Sequence, residues 1–249
     1  MDLKGTSFQP DQPKTAEQIV CSIEGRGGHG KSHWACGAPG PIAFMDLDFN
    51  SSPVRQKFID NGKEIWYAKY TISSSARRKI PTFATAAVRT WNQFQDDYFK
   101  ALEQARTVVV DTASEAWELC RLAHFLPEWG RIEKIKSHHY TPLNSNFRNL
   151  LRAGYESDCN VVLTHKVKKQ YKGENWSGKW ERAGFGDIEF VCQVNLAAFL
   201  DERSKEFKLQ ILKCTQNPSL VGEVLEAPMN TFSAVAQMVF PNSRAESWR

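Results

Sequence analysis

The sequence contains no apolar run close to the ~18 residues that a membrane-spanning helix requires. Residues 1–7 lack the charged stretch followed by an apolar stretch that defines a signal peptide. The six cysteines include no Cys-x-x-Cys pair, which argues against both a zinc site and a disulfide scaffold. Together these absences predict a cytoplasmic protein that works in a reducing compartment and has no membrane partner.

Length and composition indicate an ordinary globular domain. Of the 249 residues, 41% are hydrophobic and 24% are charged, which is enough for one α/β domain with a sizeable core. The net charge of +4 permits a polyanionic partner without requiring one. A polar, proline-containing start predicts a flexible lead-in over residues 1–16, followed by a core over 17–226 and a C-terminal helix and tail over 227–249.

One stretch, residues 25–32, matches the phosphate-binding loop pattern G-x-x-x-x-G-K-[ST] at every fixed position. A β-prone apolar run precedes it at 18–23, and residues 33–36 continue without a helix breaker. Glycines let such a loop bring backbone N–H groups onto phosphates, and the helix N-terminus adds partial positive charge. The sequence therefore predicts a nucleoside triphosphate site, with ATP as the expected ligand. The residues assigned to nucleotide binding are Gly25, Gly27, Gly28, His29, Gly30, Lys31, Ser32 and His33.

The regular alternation of strands and helices predicts the fold class. Buried strands are expected at 42–46, 107–111 and 160–165, with helices at 84–105, 114–125 and 144–156. Two neighbouring late strands are expected at 191–200 and 207–213, and a last short helix at 231–239. This order predicts an α/β fold with a mostly parallel, twisted sheet, helices on both faces and antiparallel strands at one edge.

Polar residues at predicted strand ends are candidates for the chemistry, because ligands of such sheets gather at the carboxyl ends of strands. Asp111 follows Thr-Val-Val-Val and has the form of the acid that holds Mg²⁺ in phosphate-loop enzymes. Ser32 is predicted to hold the same Mg²⁺, while Lys31 is predicted to reach the β- and γ-phosphates.

Two further strand ends supply candidates for hydrolysis and sensing. Asp48 is predicted to position and polarise the attacking water, since Asp46 lies nearer the strand interior. Thr164 and His165 are predicted to contact the γ-phosphate and to report its loss to the loop that follows.

This order of signals resembles the RecA-family ATPase core over residues 17–226, and most of all the small phage-encoded RecA-like proteins of single-strand annealing or recombination. Residues 43–48 resemble the strand that ends in a water-activating acid, which is Glu in the family and Asp48 here. Residues 108–112 resemble the Walker B strand, and 161–165 are similar to the strand that senses the γ-phosphate.

The resemblance also implies an assembly. Residues 207–213 resemble the late strand that lends a lysine to a neighbouring subunit's ATP, so Lys213 matches as a residue acting in trans; a second family lysine is absent near Thr215. The family implies a homo-oligomeric ring or filament with ATP between subunits, a bacterial host cytoplasm if the chain is phage-encoded, and a single-strand-binding protein as a further candidate partner. The candidate catalytic residues are then Lys31, Asp48, His165 and Lys213.

A loop rich in lysine and aromatic residues is predicted at 168–186, where RecA-like proteins place their DNA-binding loop. Lysines can follow phosphates while rings stack on bases, which suits single-stranded DNA. The alternative is a surface β-hairpin with solvated lysines. The residues assigned to DNA are Lys168, Lys169, Tyr171, Lys172, Trp176, Lys179, Trp180 and Arg182.

Four functions remain open at this point. The first is a Mg²⁺-dependent ATPase of phage-type recombination or annealing that is stimulated by single-stranded DNA. The second is a helicase-type motor, and the third is a nucleotide or metabolite kinase with the basic residues 77–79 as its lid. The fourth is a nucleotide-gated scaffold that hydrolyses little ATP.

Overall fold

The computed structural model describes residues 18–130 and 134–248, so the lead-in predicted at 1–16 lies outside the described residues. The strands are β1 (Val20–Glu24), β2 (Ile42–Asp46), β3 (Ile65–Lys69), β4 (Thr107–Asp111), β5 (Asn160–His165), β6 (Val167–Lys172), β7 (Asn175–Arg182), β8 (Val194–Leu200), β9 (Phe207–Cys214) and β10 (Val224–Leu225). The α-helices are α1 (Lys31–Cys36), α2 (Ser52–Asp60), α3 (Ile80–Gln104), α4 (Ala113–Phe125), α5 (Thr141–Glu156), α6 (Ile188–Val191) and α7 (Phe232–Val239). Short 3₁₀ turns lie at Ala76–Arg78, Leu126–Glu128, Ser137–Tyr140, Pro218–Leu220 and Ala245–Trp248.

One sheet of eight strands organises the chain, in the order β10-β9-β8-β1-β5-β4-β2-β3. The pairs from β3 through β8 are parallel, whereas β8 with β9 and β9 with β10 are antiparallel. The predicted fold class, a mostly parallel sheet with antiparallel strands at one edge, is confirmed.

Both faces of the sheet are covered, as the valine run of β4 shows. Val108 and Val110 belong to the hydrophobic cluster that contains α3, α4 and α5, whereas Val109 belongs to the cluster that contains α1 and α7. Successive strand residues point to opposite faces, so a strand buried on both sides is apolar throughout. This burial explains why β2, β4 and β5 have the bounds that the sequence predicts.

Helix α2 and the segment around α6 and β8 differ from the sequence expectations. Helix α2 was not expected, because it is a polar surface helix whose only buried side chain is Arg55. The apolar segment predicted as a strand from 191 begins with the end of α6, and β8 starts only at Val194. Apolar content alone does not separate a short buried helix from a strand.

The segment 168–186 forms a β-hairpin, the alternative that the sequence left open. Strands β6 and β7 pair antiparallel as a separate two-stranded sheet. Such a hairpin is marginally stable by itself and needs further packing. Its root is held by Arg182 Nε, which donates to Glu24 Oε2 at 2.6 Å, and by Ser114 Oγ, which donates to the Ala183 carbonyl at 2.7 Å.

The C-terminal segment packs onto the sheet face that carries α1. Phe232 lies 5.1 Å from Trp34 between ring centres, and Trp248 is fully buried and stacks on Phe240 at 5.6 Å. The Trp248 indole N–H donates to Ser243 Oγ at 2.7 Å. The segment therefore shares one hydrophobic cluster with the centre of the sheet.

Across the residues that the structure describes, none of the helices has the length and apolarity needed to cross a membrane.

Substituting Trp248→Ala should lower the free energy of unfolding by about 3–5 kcal/mol, because it removes a fully buried indole and leaves a cavity. Urea denaturation followed by circular dichroism measures the change. The matched control is Trp66→Ala, since Trp66 is 69% exposed on β3 and its loss should change stability by no more than ~0.5 kcal/mol. Equal stability of the two variants would show that the C-terminal segment contributes little to folding.

Candidate nucleotide-binding site

The glycine-rich loop between β1 and α1 wraps around its own lysine. Gly28 and Gly30 have φ angles of 78° and 76°, in the left-handed region that favours glycine. Lys31 Nζ donates to the carbonyl oxygens of Gly25 at 2.8 Å and Arg26 at 2.9 Å. Burial lowers the pKa of Lys31, while Asp111 and Asp48 oppose that shift. A triphosphate tail would offer this ammonium a stronger, charged acceptor than the two carbonyls.

Strands β8 and β9 close upon this loop from one side. A Cβ atom on Gly25 would lie 2.4 Å from the Ala198 carbonyl oxygen, and one on Gly30 would lie 2.9 Å from the ring of Phe207. His29 Nδ1 is also 3.1 Å from the Ala198 carbonyl oxygen. The loop is therefore fixed by packing as well as by its backbone angles.

A cavity of about 290 Å³ lies beside the loop, which we call the loop cavity. It is lined by residues 27–33, Asp48, Asn50, Ser51, Val54, Asp111 and Thr112. Apart from Gly25, every residue assigned to nucleotide binding from the sequence contributes to this lining. The sequence did not single out Asn50, Ser51 or Val54, which follow β2 in a segment without a recognisable motif.

The two residues predicted to hold Mg²⁺ are adjacent in the fold. Asp111 is buried at the end of β4; its Oδ2 accepts from Ser32 Oγ at 2.9 Å, and its Oδ1 accepts from Thr164 Oγ1. Burial raises the pKa of Asp111, and the hydrogen bonds from Thr164 and Ser32 counteract it. A hydroxyl and a carboxylate are hard oxygen donors that suit Mg²⁺. The residues present therefore fit this ion.

Asp46 and Asp48 have different surroundings. Asp46 is 2% exposed and accepts from the backbone N–H groups of Asp48 and Phe49 and from Ser51 Oγ, while Arg55 lies 3.7 Å away. These bonds use both of its oxygens to shape the turn after β2. Asp48 lines the loop cavity instead. Of the two acids, Asp48 is thus the one placed to contact a nucleotide.

Lys166 is a site residue that the sequence interpretation missed. Its Nζ lies 2.7 Å from Asp48 Oδ1 and 2.8 Å from Glu115 Oε1. Burial alone would lower the pKa of Lys166, but its hydrogen bonds to Asp48 and Glu115 outweigh that effect and raise the pKa. The only sequence signal was its position directly after β5, at a strand end.

The structure does not bring His165 into the lining of the loop cavity. Consecutive strand residues face opposite sides, so Thr164 shares a face with Asp111 while His165 turns away. The imidazole is fully buried. Burial, assisted by Arg182, lowers the pKa of His165 to about 3, so the ring is neutral at physiological pH. Contact of His165 with a γ-phosphate stays a prediction.

Lys213 is engaged within its own subunit. Its Nζ donates to the carbonyl oxygens of Glu189 at 2.7 Å, Phe190 at 3.2 Å and Cys192 at 2.8 Å, at the C-terminal end of α6. Action on a neighbouring subunit's ATP would require release of these bonds and stays a prediction.

The hairpin carries an exposed aromatic face that reaches the phosphate loop. Tyr171, Trp176 and Trp180 are 57%, 50% and 43% exposed. Lys169 Nζ lies 5.1 Å from the ring centre of Trp176, and the Arg26 guanidinium lies 5.0 Å from that of Trp180. Of the other residues assigned to DNA, Lys168, Lys172 and Lys179 are exposed, whereas Arg182 is half-buried against Glu24.

The basic residues 77–79 do not reach the loop cavity. Arg77 Nε donates to the Ile72 carbonyl at 3.4 Å, and its guanidinium lies 5.1 Å from the ring centre of Phe83. The structure thus gives no support to a kinase-type lid at this position.

A strand, a glycine-rich loop and a helix, with an acid at the end of a neighbouring parallel strand, define a P-loop nucleotide-binding domain. A family model described as an AAA domain matches residues 17–185, and the chain belongs to this family. The match confirms the P-loop ATPase part of the resemblance and with it a nucleotide-binding function.

The solved structures similar to this chain include a KaiC-like protein from the hyperthermophilic archaeon Pyrococcus horikoshii OT3. The two share 15% sequence identity over 85% of this chain and 90% of that chain, with a TM-score of 0.40. A search of curated proteins found no match.

Replacing Lys31 with alanine should abolish measurable ATP binding, because the substitution removes the buried ammonium at the centre of the loop. Isothermal titration calorimetry measures the affinity. Lys100→Ala, at an exposed position on α3, is the matched control and should bind as the wild type does. Wild-type affinity in Lys31→Ala would remove the nucleotide site from this loop.

Proposed function

We propose that this protein is a Mg²⁺-dependent ATPase that acts on single-stranded DNA, with the hairpin β6–β7 as its DNA-binding element. One observation carries the proposal: the hairpin rests on the phosphate loop. The guanidinium of Arg26, a residue of the phosphate loop, lies over the ring of Trp180 in the hairpin. Arg182 of the hairpin is bonded to Glu24, which directly precedes the phosphate loop. A nucleotide that orders the loop would therefore also bias the hairpin.

In the hydrolytic site, each side chain has a separate task. Lys31 binds the β- and γ-phosphates, and Asp48 orients a water molecule for attack on the γ-phosphorus. Ser32 and Asp111 would hold Mg²⁺, which when bound neutralises phosphate charge. Lys166 fixes the Asp48 carboxylate through the 2.7 Å ion pair.

DNA binding would combine stacking with charge. Base–aromatic stacks contribute ~1–3 kcal/mol per base, and the exposed rings of the hairpin lie on one face. The exposed lysines of the same hairpin would follow the phosphates and make binding dependent on salt.

The finer biological assignment rests on the resemblance to phage-encoded RecA-like proteins. It comprises a role in recombination or annealing, a homo-oligomeric ring or filament with ATP between subunits, and a single-strand-binding protein as partner. Light scattering with and without ATP tests the assembly.

A second candidate, the nucleotide-gated scaffold, is favoured by one contact. Asp48 Oδ1 already lies 2.7 Å from Lys166 Nζ, so this ion pair occupies one of the oxygens that would orient an attacking water. ATP turnover measured with and without single-stranded DNA distinguishes the two functions: DNA-stimulated turnover supports the ATPase, whereas binding without turnover in either condition supports the scaffold.

Asp48→Asn should retain ATP binding and lower turnover by at least ~10²-fold, the usual scale for loss of a general base. Phosphate release measures turnover. The matched control is Glu115→Gln, which removes the other carboxylate partner of Lys166 and leaves Asp48 in the cavity. An unchanged rate in Asp48→Asn would assign water activation to another residue.

A double variant, Tyr171→Ala with Trp176→Ala, should weaken single-stranded DNA binding by at least ~10-fold and leave ATP binding unchanged, because it removes two exposed stacking rings. Filter binding measures the DNA affinity. Trp180 stays in place since it contacts the phosphate loop. The control is Trp66→Ala on β3, outside the hairpin. Undiminished DNA affinity in the double variant would exclude the aromatic face of the hairpin as the DNA site.

A further inference from the structure

The backbone of Phe49 has an uncommon conformation directly after Asp48. Its φ angle is 65°, in the left-handed region that a side chain as large as phenylalanine rarely occupies. Among the described residues, Lys205 is the other non-glycine residue with a positive φ, and it lies in the turn between β8 and β9, where such angles are common. Phe49 lies instead between β2 and α2, next to an acid of the loop cavity.

The turn around Phe49 closes on a single buried carboxylate. Before the left-handed residue, the N–H groups of Asp48 and Phe49 donate to Asp46 Oδ1 at 3.1 Å and 3.0 Å. After it, Ser51 Oγ donates to Asp46 Oδ2 at 2.9 Å. The reversal of the chain at Phe49 lets groups on both sides of it reach the same side chain. The backbone that carries Asp48 is part of this closed turn.

The ring of Phe49 is held by the neighbouring edge strand. Strand β3 pairs with β2 in parallel and places Lys69 beside Asp46. Lys69 Nζ lies 4.1 Å from the centre of the Phe49 ring, a cation–π contact that we call the ring clamp. The ring also borders a cavity of about 320 Å³, shared with Tyr70 and Ile72. Dense packing therefore does not fix the ring on the side of this cavity.

The backbone angle and the ring clamp restrict the same turn. A strained residue persists where the surrounding contacts hold it, and such residues cluster at functional sites. Glycine would adopt this φ angle without a side-chain clash. Phenylalanine adds a ring that Lys69 can hold, and so limits the movement of the turn that contains Asp48.

We propose that Phe49 is a positioning residue for hydrolysis, which acts through Asp48 and is held in place by Lys69. The ring clamp keeps the turn in one arrangement, and with it the Asp48 carboxylate that orients the attacking water. This inference deepens the proposed function and rests on it, because it requires that Asp48 acts in turnover.

Phosphate release at saturating ATP and calorimetry of ATP binding test the inference on the full chain with Mg²⁺. Phe49→Gly keeps the φ angle and removes the ring, which is 55% exposed and lies outside the hydrophobic core. Turnover should fall by about 10- to 100-fold, the scale for a small misplacement of a catalytic group, while ATP affinity should change by less than about twofold. Phe49→Tyr keeps a ring beside Lys69 and should restore wild-type turnover.

Lys69→Met removes the ammonium at an exposed position, so the test does not depend on the folding of Phe49→Gly alone. It should lower turnover as well. The double variant should be no slower than Phe49→Gly, because both substitutions break one contact. Lys100→Met, on the exposed side of α3, is the matched control and should turn over ATP as the wild type does.

The outcomes separate this inference from the proposed function. Wild-type turnover in Phe49→Gly and Lys69→Met would overturn the ring clamp and leave the ATPase intact. An equal loss of turnover in Phe49→Tyr, or a parallel loss of ATP affinity in Phe49→Gly, would also overturn it, because the effect would then not come from the ring acting through Asp48. Absence of turnover in the wild type, with and without single-stranded DNA, would overturn both proposals.

Discussion

The buried carboxylate of Asp111 is the constraint on which the site depends. One oxygen accepts from Ser32 at the start of α1, and the other accepts from Thr164 at the end of β5. A carboxylate removed from water is costly unless its oxygens are bonded, so these two hydroxyls are held where they are. The bonds bring three elements, distant in sequence, to one point at the carboxyl edge of the sheet.

Around that point, several elements of the fold contact the phosphate loop. Strands β8 and β9 contact it through the Ala198 carbonyl and the Phe207 ring. The hairpin contacts it through Trp180, whose ring lies beside Arg26 of the loop. The buried Asp46 accepts hydrogen bonds from the backbone of the turn after β2, and Asp48 in that turn lines the loop cavity. Any change in loop conformation must therefore be accommodated by the antiparallel edge of the sheet, by the hairpin, or by both.

The sequence predicted those parts of the fold that are set by local pattern. β4 has the predicted bounds because its residues are buried on both faces. The phosphate loop was predicted because the spacing of its glycines and lysine is specific to this type of loop. The sequence did not predict pairings between residues that are distant along the chain. The Lys166 bridge between Asp48 and Glu115 joins three separate segments, and no periodicity in any of them reports the other two. The complete burial of His165 likewise depends on segments distant in sequence that cover the end of β5.

Because Trp180 contacts Arg26, the fluorescence of this tryptophan can report on the phosphate loop. The chain has eight tryptophans, and this one lies with its ring centre 5.0 Å from a guanidinium of the phosphate loop. Indole emission responds to nearby charge, so a shift of Arg26 towards a bound anion would alter the emission of Trp180. The loop can thus be followed in solution without an attached dye, and stopped-flow mixing would time its movement directly.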